Sequence, residues 1–307
     1  MQEKFLNKTG KAIQQLSCDL FLLSEGSRLP VISDLQEKYG LSRGTVQNAF
    51  RYLKDENIIH TLSQGRHGTI LTTIDYGKLQ KIILEGTIRG TMPLPYSKLY
   101  EGFATGLYEV FHRAEIPLSM AYIRGSKERI ELTSEKTIHF SIVSKLAAIK
   151  AIEAGGNLEI SKEFGSKSFL SSHVMIFSNS KSSQIEDGMR VGIDHTSYDQ
   201  QILTENATNG KKVTFIEIPS HQLIYSLEQE VIDVGIWNYD EIKDRKLDHL
   251  NYQFLEGSKE DSLSSTAVCV LNKDNLLLKK ILMSVIDVAT ILSIQEDVLE
   301  GKIIPHY

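Results

Sequence analysis

Apolar residues in the first 75 positions recur at helical spacing, break, and then fall into short extended runs. Phe5, Ala12, Ile13, Leu16 and Leu20 share one face of a helix over about 4–23. "SEGSRLP", with Gly26 and Pro30, interrupts it, and a short helix over 31–39 follows, with Gly40 placed to end it. Ser42 is placed to cap a third helix, in which Val46, Ala49, Phe50 and Leu53 fall at i, i+3, i+4 and i+7 as one buried stripe. Its opposite face presents Gly44, Asn48 and Arg51, flanked by Thr45 and Gln47. Ile58, Ile59 and Leu62 form one extended run, and Ile70 and Leu71 another. "SQGRHG" between them supplies Gly65 and Gly68 for a hairpin turn tipped by Arg66 and His67.

Beyond residue 75 the pattern alternates apolar strands with helices and contains no repeat. A strand over 81–88, a loop "GTMPLPYS" and a helix over 98–112 come first, followed by strands over 118–123 and 138–143 and a helix over 144–154. "MRVGI", "VTFIEI" and "VIDVGIW" read as three strands. The helix 198–206 (capping box Ser197 and Gln200) and the helix 221–229 (capped by Ser220) separate them. A β-α-β-α-β series of this kind implies a parallel sheet covered on both faces. "SKSFLSSHVMIF" leads from one α/β set to the other, "EGSKEDSLSSTAVCVL" leads back, and one long helix over 281–300 closes the chain.

Three helices and a cationic hairpin within 75 residues make a winged helix-turn-helix. Small residues and hydrogen-bond donors in the first turn of its third helix suit a major groove about 12 Å wide. "RLPVISDLQEKYGLSRGTVQNAFRYLKDENII" followed by "QGRHGTIL" resembles the GntR family of bacterial repressors. The matching positions are Arg28, Leu29, Pro30, Ser42, Arg43, Thr45, Val46, Leu53, Gln64, Gly65, Arg66, Gly68 and Thr69. Val31 stands where the family has a helix-capping serine, so the second helix is expected to start late, on a box of Ser33 and Gln36. Gly44 replaces a threonine, Gln47 replaces an arginine and His67 is an insertion. The resemblance implies a double-stranded DNA operator, contacted from Arg28, Ser42, Arg43, Gly44, Thr45, Gln47, Asn48, Arg51, Gln64, Gly65, Arg66 and His67.

A chain that visits one α/β lobe, passes to a second and returns resembles the type II periplasmic-binding-protein fold, as used in effector domains of LysR-type regulators. The combined layout is similar to the YhfZ-type group of regulators. In open α/β sheets, ligands sit at the carboxyl ends of strands, where helix N-termini offer free N–H groups. The expected ligand residues are therefore Met92, Tyr96, Ser97, Gly125, Ser126, Ser171, Ser172, Thr196, Ser197, Trp237 and Asn238. Their hydroxyls suit a carboxylate or phosphate, Tyr96 or Trp237 suits a planar group, and the helix starts at Ser97 and Ser197 suit an anion.

Charge adds a mild asymmetry. Residues 1–75 hold nine Lys/Arg against eight Asp/Glu, within a chain of net charge −5. Length and asymmetry together point to two domains, 1–75 for DNA and 76–307 for the effector. Cys18 and Cys269, the only cysteines, fit free thiols in a reducing compartment, and no apolar run exceeds five residues. The expectation is a cytoplasmic homodimer with no membrane partner, metal or cofactor. HExxH, Gly-x-Ser-x-Gly and phosphate-loop patterns are all missing, which argues against an enzyme. A ligand-independent DNA-binding protein whose large domain serves assembly, and an enzyme acting on a small acid, are the alternatives.

Overall fold

Asn7 opens the first helix by accepting a hydrogen bond from the Gly10 N–H at 2.8 Å. The computed structural model describes residues 7–307 except 85, 248 and 256–258, and of His67 only the backbone. Phe5 and the start of the expected first helix lie outside the described residues. Contacts divide the chain into two units. The first contains residues up to Ile88 together with Ala114–Pro117 and Leu276–Ile281, and the second contains the rest, so the chain passes between them repeatedly.

In the first unit, α1 (Lys8–Phe21) packs on α3 (Arg43–Asp55), and α2 (Ile32–Tyr39) packs on α3. Gly40 ends α2 in the left-handed region at φ 63°, and Ser42 caps α3 by accepting from the Thr45 N–H at 3.3 Å. Val46, Ala49 and Leu53 are fully buried. Phe50 is only half-buried, because α3 turns that flank toward a surface hollow. The late start expected for α2 does not occur. Val31 is extended and bears no side-chain cap, α2 begins at Ile32, and the Ser33 hydroxyl donates to Asp34 instead. Long-range pairing fixes that start. Leu29 N–H donates to Thr69 O at 2.9 Å and Leu71 N–H to Ser27 O at 2.9 Å, so "GSRL" lies along β2 (Thr69–Ile74). That strand pairs antiparallel with β1 (Ile59–Ser63) across a 3-10 turn.

The strand expected over 81–88 is instead helix α4 (Tyr76–Ile83) followed by β3 (Ile88–Met92). Asp75 caps α4 by accepting from Lys78 N–H at 3.0 Å, and Leu79 and Ile83 bury one face at i, i+4. Lys280 completes this unit. Its ammonium donates to Phe21 O and to Leu23 O (3.1 Å), the carbonyls at the end of α1, and lies 4.5 Å from the Tyr76 ring centroid.

The second unit carries two five-stranded sheets. Its elements in order are α5 (Lys98–Arg113), β4 (Leu118–Tyr122), α6 (Ser126–Ser134), β5 (Phe140–Ser144), α7 (Lys145–Glu153), β6 (Leu158–Glu163), β7 (His173–Phe177), β8 (Arg190–Ile193) and α8 (Tyr198–Ala207). Then come β9 (Thr214–Glu217), α9 (Leu223–Glu228), β10 (Val234–Asn238), α10 (Tyr239–Asp244), β11 (Asn251–Phe254), α11 (Lys259–Ser264), β12 (Ala267–Asn272) and α13 (Val288–Leu299); α12 (Leu276–Val285), before α13, belongs to the first unit up to Ile281 and to the second from Leu282. Sheet orders are β4-β3-β5-β12-β6 and β11-β7-β10-β8-β9. β8, β9 and β10 run parallel, as the β-α-β-α-β pattern requires, while β12 and β7 run antiparallel to their central neighbours β5 and β10. The chain leaves the first sheet after β6 and returns to it as β12, which is the two-crossing layout expected.

The closing helix is two helices. Asp287 breaks it by capping α13, accepting from Ala289 N–H at 3.1 Å and the Thr290 hydroxyl at 2.7 Å. Gly102 and Gly106 let α13 lie directly on α5; a Cβ on Gly106 would sit 2.9 Å from Ile291 O.

The lysine cap gives a test of the first unit. Lys280→Met retains the apolar stem but leaves the Phe21 carbonyl unmet, while Leu23 O keeps the Tyr76 hydroxyl at 2.8 Å, so unfolding should lose about 1 kcal/mol. Chemical denaturation of the full chain measures it, and an unchanged midpoint and slope would contradict the cap.

Candidate functional sites: a cationic helix face and a cleft

Outward positions of α3 carry Arg43, Gly44, Gln47, Asn48 and Arg51, all exposed, with exposed Ser42 at the cap and half-buried Thr45 beside it. Gln64, Gly65 and Arg66 are exposed at the hairpin tip, and the His67 side chain lies outside the described residues. Gly68, at φ 86°, supplies a backbone conformation that other residues rarely adopt, and the Arg28 guanidinium lies over it, with Nε 2.7 Å from where a Cβ would be. Arg28 thereby crosses the turn and joins Arg43, Gln47, Phe50, Arg51 and Lys54 around a hollow of about 650 Å³. Among the described residues, no carboxylate lies within 4 Å of Arg28, Arg43, Arg51 or Lys54. Four unanswered cations beside a capped helix suit a polyanion. Lys54 was missed by the sequence reading, although it follows Arg43, Gln47 and Arg51 at i+11, i+7 and i+3.

In the second unit a cleft of about 350 Å³ gathers Tyr96, Gly125, Ser126, Ser197, Trp237 and Asn238 of the expected ligand residues. The other five stay off its wall. Met92 is fully buried, and the Ser171 N–H donates to Asp240 at 2.7 Å. The Ser172 hydroxyl donates to His173 O at 3.4 Å. Thr196 covers Gly125, where a Cβ would lie 2.8 Å from Thr196 O. Ser97 is 2% exposed. Lys98 N–H at that helix start goes to Asp244 at 2.8 Å, and Tyr100 N–H goes to the Ser97 hydroxyl at 3.4 Å. At α8, Tyr198 N–H goes to the Ser126 hydroxyl at 2.9 Å and Gln200 N–H to Ser197 at 3.5 Å. These N–H groups of the two helix starts are therefore given to protein acceptors, not held free for a ligand.

The open donors belong to Asn238, which was expected, and to two arginines, Arg129 and Arg124, which were not. Arg129 is 4% exposed, and its Nη1 donates to Ile123 O at 2.7 Å while its Nε has no partner. Burial lowers its pKa to about 10, so it remains a cation at neutral pH. Asn238 is buried and caps α10 with its Oδ1, accepting from Asp240 N–H at 2.8 Å, which leaves Nδ2 acting on the Tyr96 hydroxyl without a partner of full hydrogen-bond geometry. Arg124 Nη1 lies 3.5 Å from Asp194 Oδ2, an ion pair without a hydrogen bond. Asp199, also on the wall, accepts from the Ser144 hydroxyl at 2.6 Å; burial holds its carboxyl above the usual range, against the pull of Ser144, His173 and Arg129. The signal for Arg129 was faint: Ser126, Arg129, Ile130 and Thr133 form the buried i, i+3, i+4, i+7 stripe of α6, which reads as a polar, solvated helix.

Aromatic rings make the rest of the wall. Tyr96 stacks on Trp237 with centroids 5.7 Å apart, Tyr100 meets Tyr96 edge-on at 5.2 Å, and Phe169 meets Tyr100 at 5.2 Å. Trp237 Nε1 donates to Glu241 at 2.8 Å. The Tyr96 ring is 38% exposed, yet its hydroxyl is desolvated enough, with the Glu241 charge adding, to be pushed up to about 12.

Below the cleft, Asp194 accepts from Thr196 N–H (3.0 Å) and hydroxyl (2.6 Å), and from Ser220 N–H (2.8 Å) and hydroxyl. Ser220 therefore does not cap the following helix. It opens a 3-10 turn, and α9 begins only at Leu223. Burial raises the Asp194 carboxyl, but the bonds from Ser220 and Thr196 outweigh it and hold the group below its ordinary value. Among the described residues, no group of three His, Cys, Asp or Glu could hold a metal ion, and no helix is long and apolar enough to cross a membrane.

A helix-turn-helix with a cationic face, carried with an α/β unit folded like a binding protein, is the architecture of a DNA-binding regulator with a ligand-binding-like domain. The chain belongs to the YhfZ family: residues 75–307 match the YhfZ C-terminal domain, and residues 24–71 match a helix-turn-helix domain. It is 29% identical over 311 residues to YhfZ of Escherichia coli (strain K12), covering all of both chains. The crystal structure of YhfZ from Shigella flexneri superposes with a TM-score of 0.63 and 28% identity, over 75% of this chain and 97% of that one. The alkanesulfonate-binding protein SsuA from Xanthomonas axonopodis pv. citri, bound to MOPS, gives a TM-score of 0.50 at 13% identity, over 70% of this chain and 75% of that one. That likeness is one of fold.

Asp194→Ala removes the acceptor of four hydrogen bonds and should cost about 2–4 kcal/mol at neutral pH. Because the folded-state pKa is depressed, this contribution is present above the ordinary carboxylate range and lost as pH falls through the lowered value. Urea unfolding of both proteins at neutral and acid pH checks this; a gap that stays constant would contradict it.

Proposed function

We propose that the protein is a cytoplasmic transcriptional regulator of GntR-like winged-helix type. It acts as a homodimer whose two helix-turn-helix units occupy the half-sites of a pseudo-palindromic operator. A small anionic metabolite in the cleft sets its affinity for DNA, and the cleft serves sensing, not catalysis. The domain boundary falls near residue 75. The matching positions Arg28, Ser42, Arg43, Thr45, Gln64 and Arg66, the exposed face of α3 and the four unanswered cations support the DNA half. The effector half is carried by one observation: Arg124 Nη1, Arg129 Nε and Asn238 Nδ2 are buried N–H groups without partners of full hydrogen-bond geometry, all from residues lining one cleft. Buried donors left unmet are costly, and an oxyanion supplies the acceptors they lack.

Two tests separate the halves. Arg43→Ala should weaken operator binding by about 1–3 kcal/mol if Arg43 reads a base. Arg66→Ala should weaken all sequences alike and reduce the salt slope by about 1 per monomer. Gel shifts showing wild-type affinity for both variants would defeat the DNA assignment. For the cleft, Trp237 is the only tryptophan and lines the site. Titration with carboxylates and phosphates should change its emission and raise the melting temperature, and Arg129→Gln should abolish both responses. Unmoved emission and melting temperature with the wild-type protein would sink the effector reading.

A further inference from the structure

We infer that the ligand of this cleft is a monocarboxylate with a flat apolar body, such as an aryl-substituted acid, and not a phosphate, a dicarboxylate or a nucleotide. The inference rests on the reading of the cleft as an effector site and narrows it. Charge comes first. Arg124 is already faced by Asp194 at 3.5 Å, and the Arg129 cation shares the cleft wall with the Asp199 carboxylate. Of the remaining titratable groups on the wall, Tyr96 and Tyr100 are kept protonated by burial, His173 Nδ1 is engaged by the buried Ser264 hydroxyl at 3.2 Å with the Asp261 carboxylate 3.4 Å away, and His221 completes the set. The wall thus holds donors for one anionic group but no surplus of positive charge for a second, which would be set against Asp199 in a desolvated site.

The donors agree with that count. Arg129 Nε and Asn238 Nδ2 belong to residues 4% and 3% exposed and have no partner of full hydrogen-bond geometry, Nδ2 acting only on the Tyr96 hydroxyl; in number they suit the two oxygens of one carboxylate. Beside these polar groups the wall carries aromatic and apolar side chains: the Tyr96–Trp237 stack, then Tyr100 and Phe169, together with Leu94 and Leu170. Such a surface gains nothing from a compact hydrated anion and gains strongly from a ring laid along it. At about 350 Å³ the cavity is near the small end of ligand sites, enough for one ring and a short acid arm.

Calorimetric titration of the full chain with phenylacetate, acetate, succinate and inorganic phosphate tests this. Phenylacetate should bind at least tenfold tighter than acetate, since each buried CH₂ equivalent is worth about 0.8 kcal/mol, and phosphate and succinate should bind more weakly than phenylacetate. Tyr96→Ala should bring the phenylacetate-to-acetate ratio toward unity by weakening phenylacetate more than acetate. Asp199→Asn, which is isosteric and can still accept from Ser144, should improve phosphate and succinate several-fold without improving phenylacetate. Tighter binding of phosphate or succinate than of phenylacetate by the wild-type protein would overturn the inference while leaving an effector cleft. A dicarboxylate and phosphate response unmoved by Asp199→Asn would overturn the charge argument. If no probe binds and Trp237 emission is unmoved, the effector reading falls and this inference with it.

Discussion

A guanidinium that is 4% exposed must be compensated from within the protein, because removing a cation from water costs several kcal/mol even after relaxation. Arg129 imposes that constraint on the α/β unit. Ile123 O takes one of its N–H groups at 2.7 Å, and Asp199 supplies a countercharge that is itself steadied by the Ser144 hydroxyl. Ser144 also caps α7, and Asp199 belongs to the first turn of α8, so the charge compensation draws together elements from both sheets. What remains uncompensated is the Nε proton, and it belongs to a residue of the cleft wall. The same residue thus links the packing of the unit to its proposed chemistry.

Compensation of a second carboxylate ties together the loops around Arg124. Asp194 is saturated by Thr196 and Ser220, and it holds the loop after β8 against the turn before α9. Arg124 reaches Asp194 from the loop after β4, while Lys127 N–H donates to Thr196 O at 3.1 Å and its ammonium to Gln201 at 2.8 Å. Gly125 makes this approach possible, since any side chain there would meet Thr196. The cleft wall therefore carries residues of two charge networks, Arg129 with Asp199 and Arg124 with Ser220, together with the rings of Tyr96, Tyr100, Phe169 and Trp237.

How far the sequence foretold this depends on the range of the interactions. α3, its Ser42 cap and the Gly65–Gly68 turn were legible because caps, stripes and turn glycines act within a few residues. The parallel series β8, β9, β10 was legible for the same reason. Features set by distant partners were not. "GSRL" lies along β2 through long-range pairing, which also fixes where α2 starts. Ser220 surrendered its cap to Asp194, 26 residues away. α4 and the break at Asp287 were local signals read wrongly: in each an aspartate capped a new helix where the apolar run suggested continuity. The cleft was placed correctly as a region, but its donors were expected from serines at helix starts. Those serines are consumed by their own caps and by the facing loop; of the open donors, Asn238 was expected at its strand end, whereas Arg129 is an arginine whose burial no local pattern announces.

Regulation requires that occupancy of the cleft and occupancy of DNA influence one another. The chain passes between its two units at residues 88, 113, 117, 275 and 281, and Lys280, beyond most of the α/β unit in sequence, caps α1 of the helix-turn-helix unit. The account is tested most directly by fluorescence anisotropy of a labelled duplex selected from genomic DNA by the full chain, titrated with and without the tightest-binding carboxylate. It predicts that the carboxylate changes duplex affinity by about 5–150-fold, and that saturating duplex changes carboxylate affinity by the same factor. Both ligands binding, each with an affinity indifferent to the other, would contradict it.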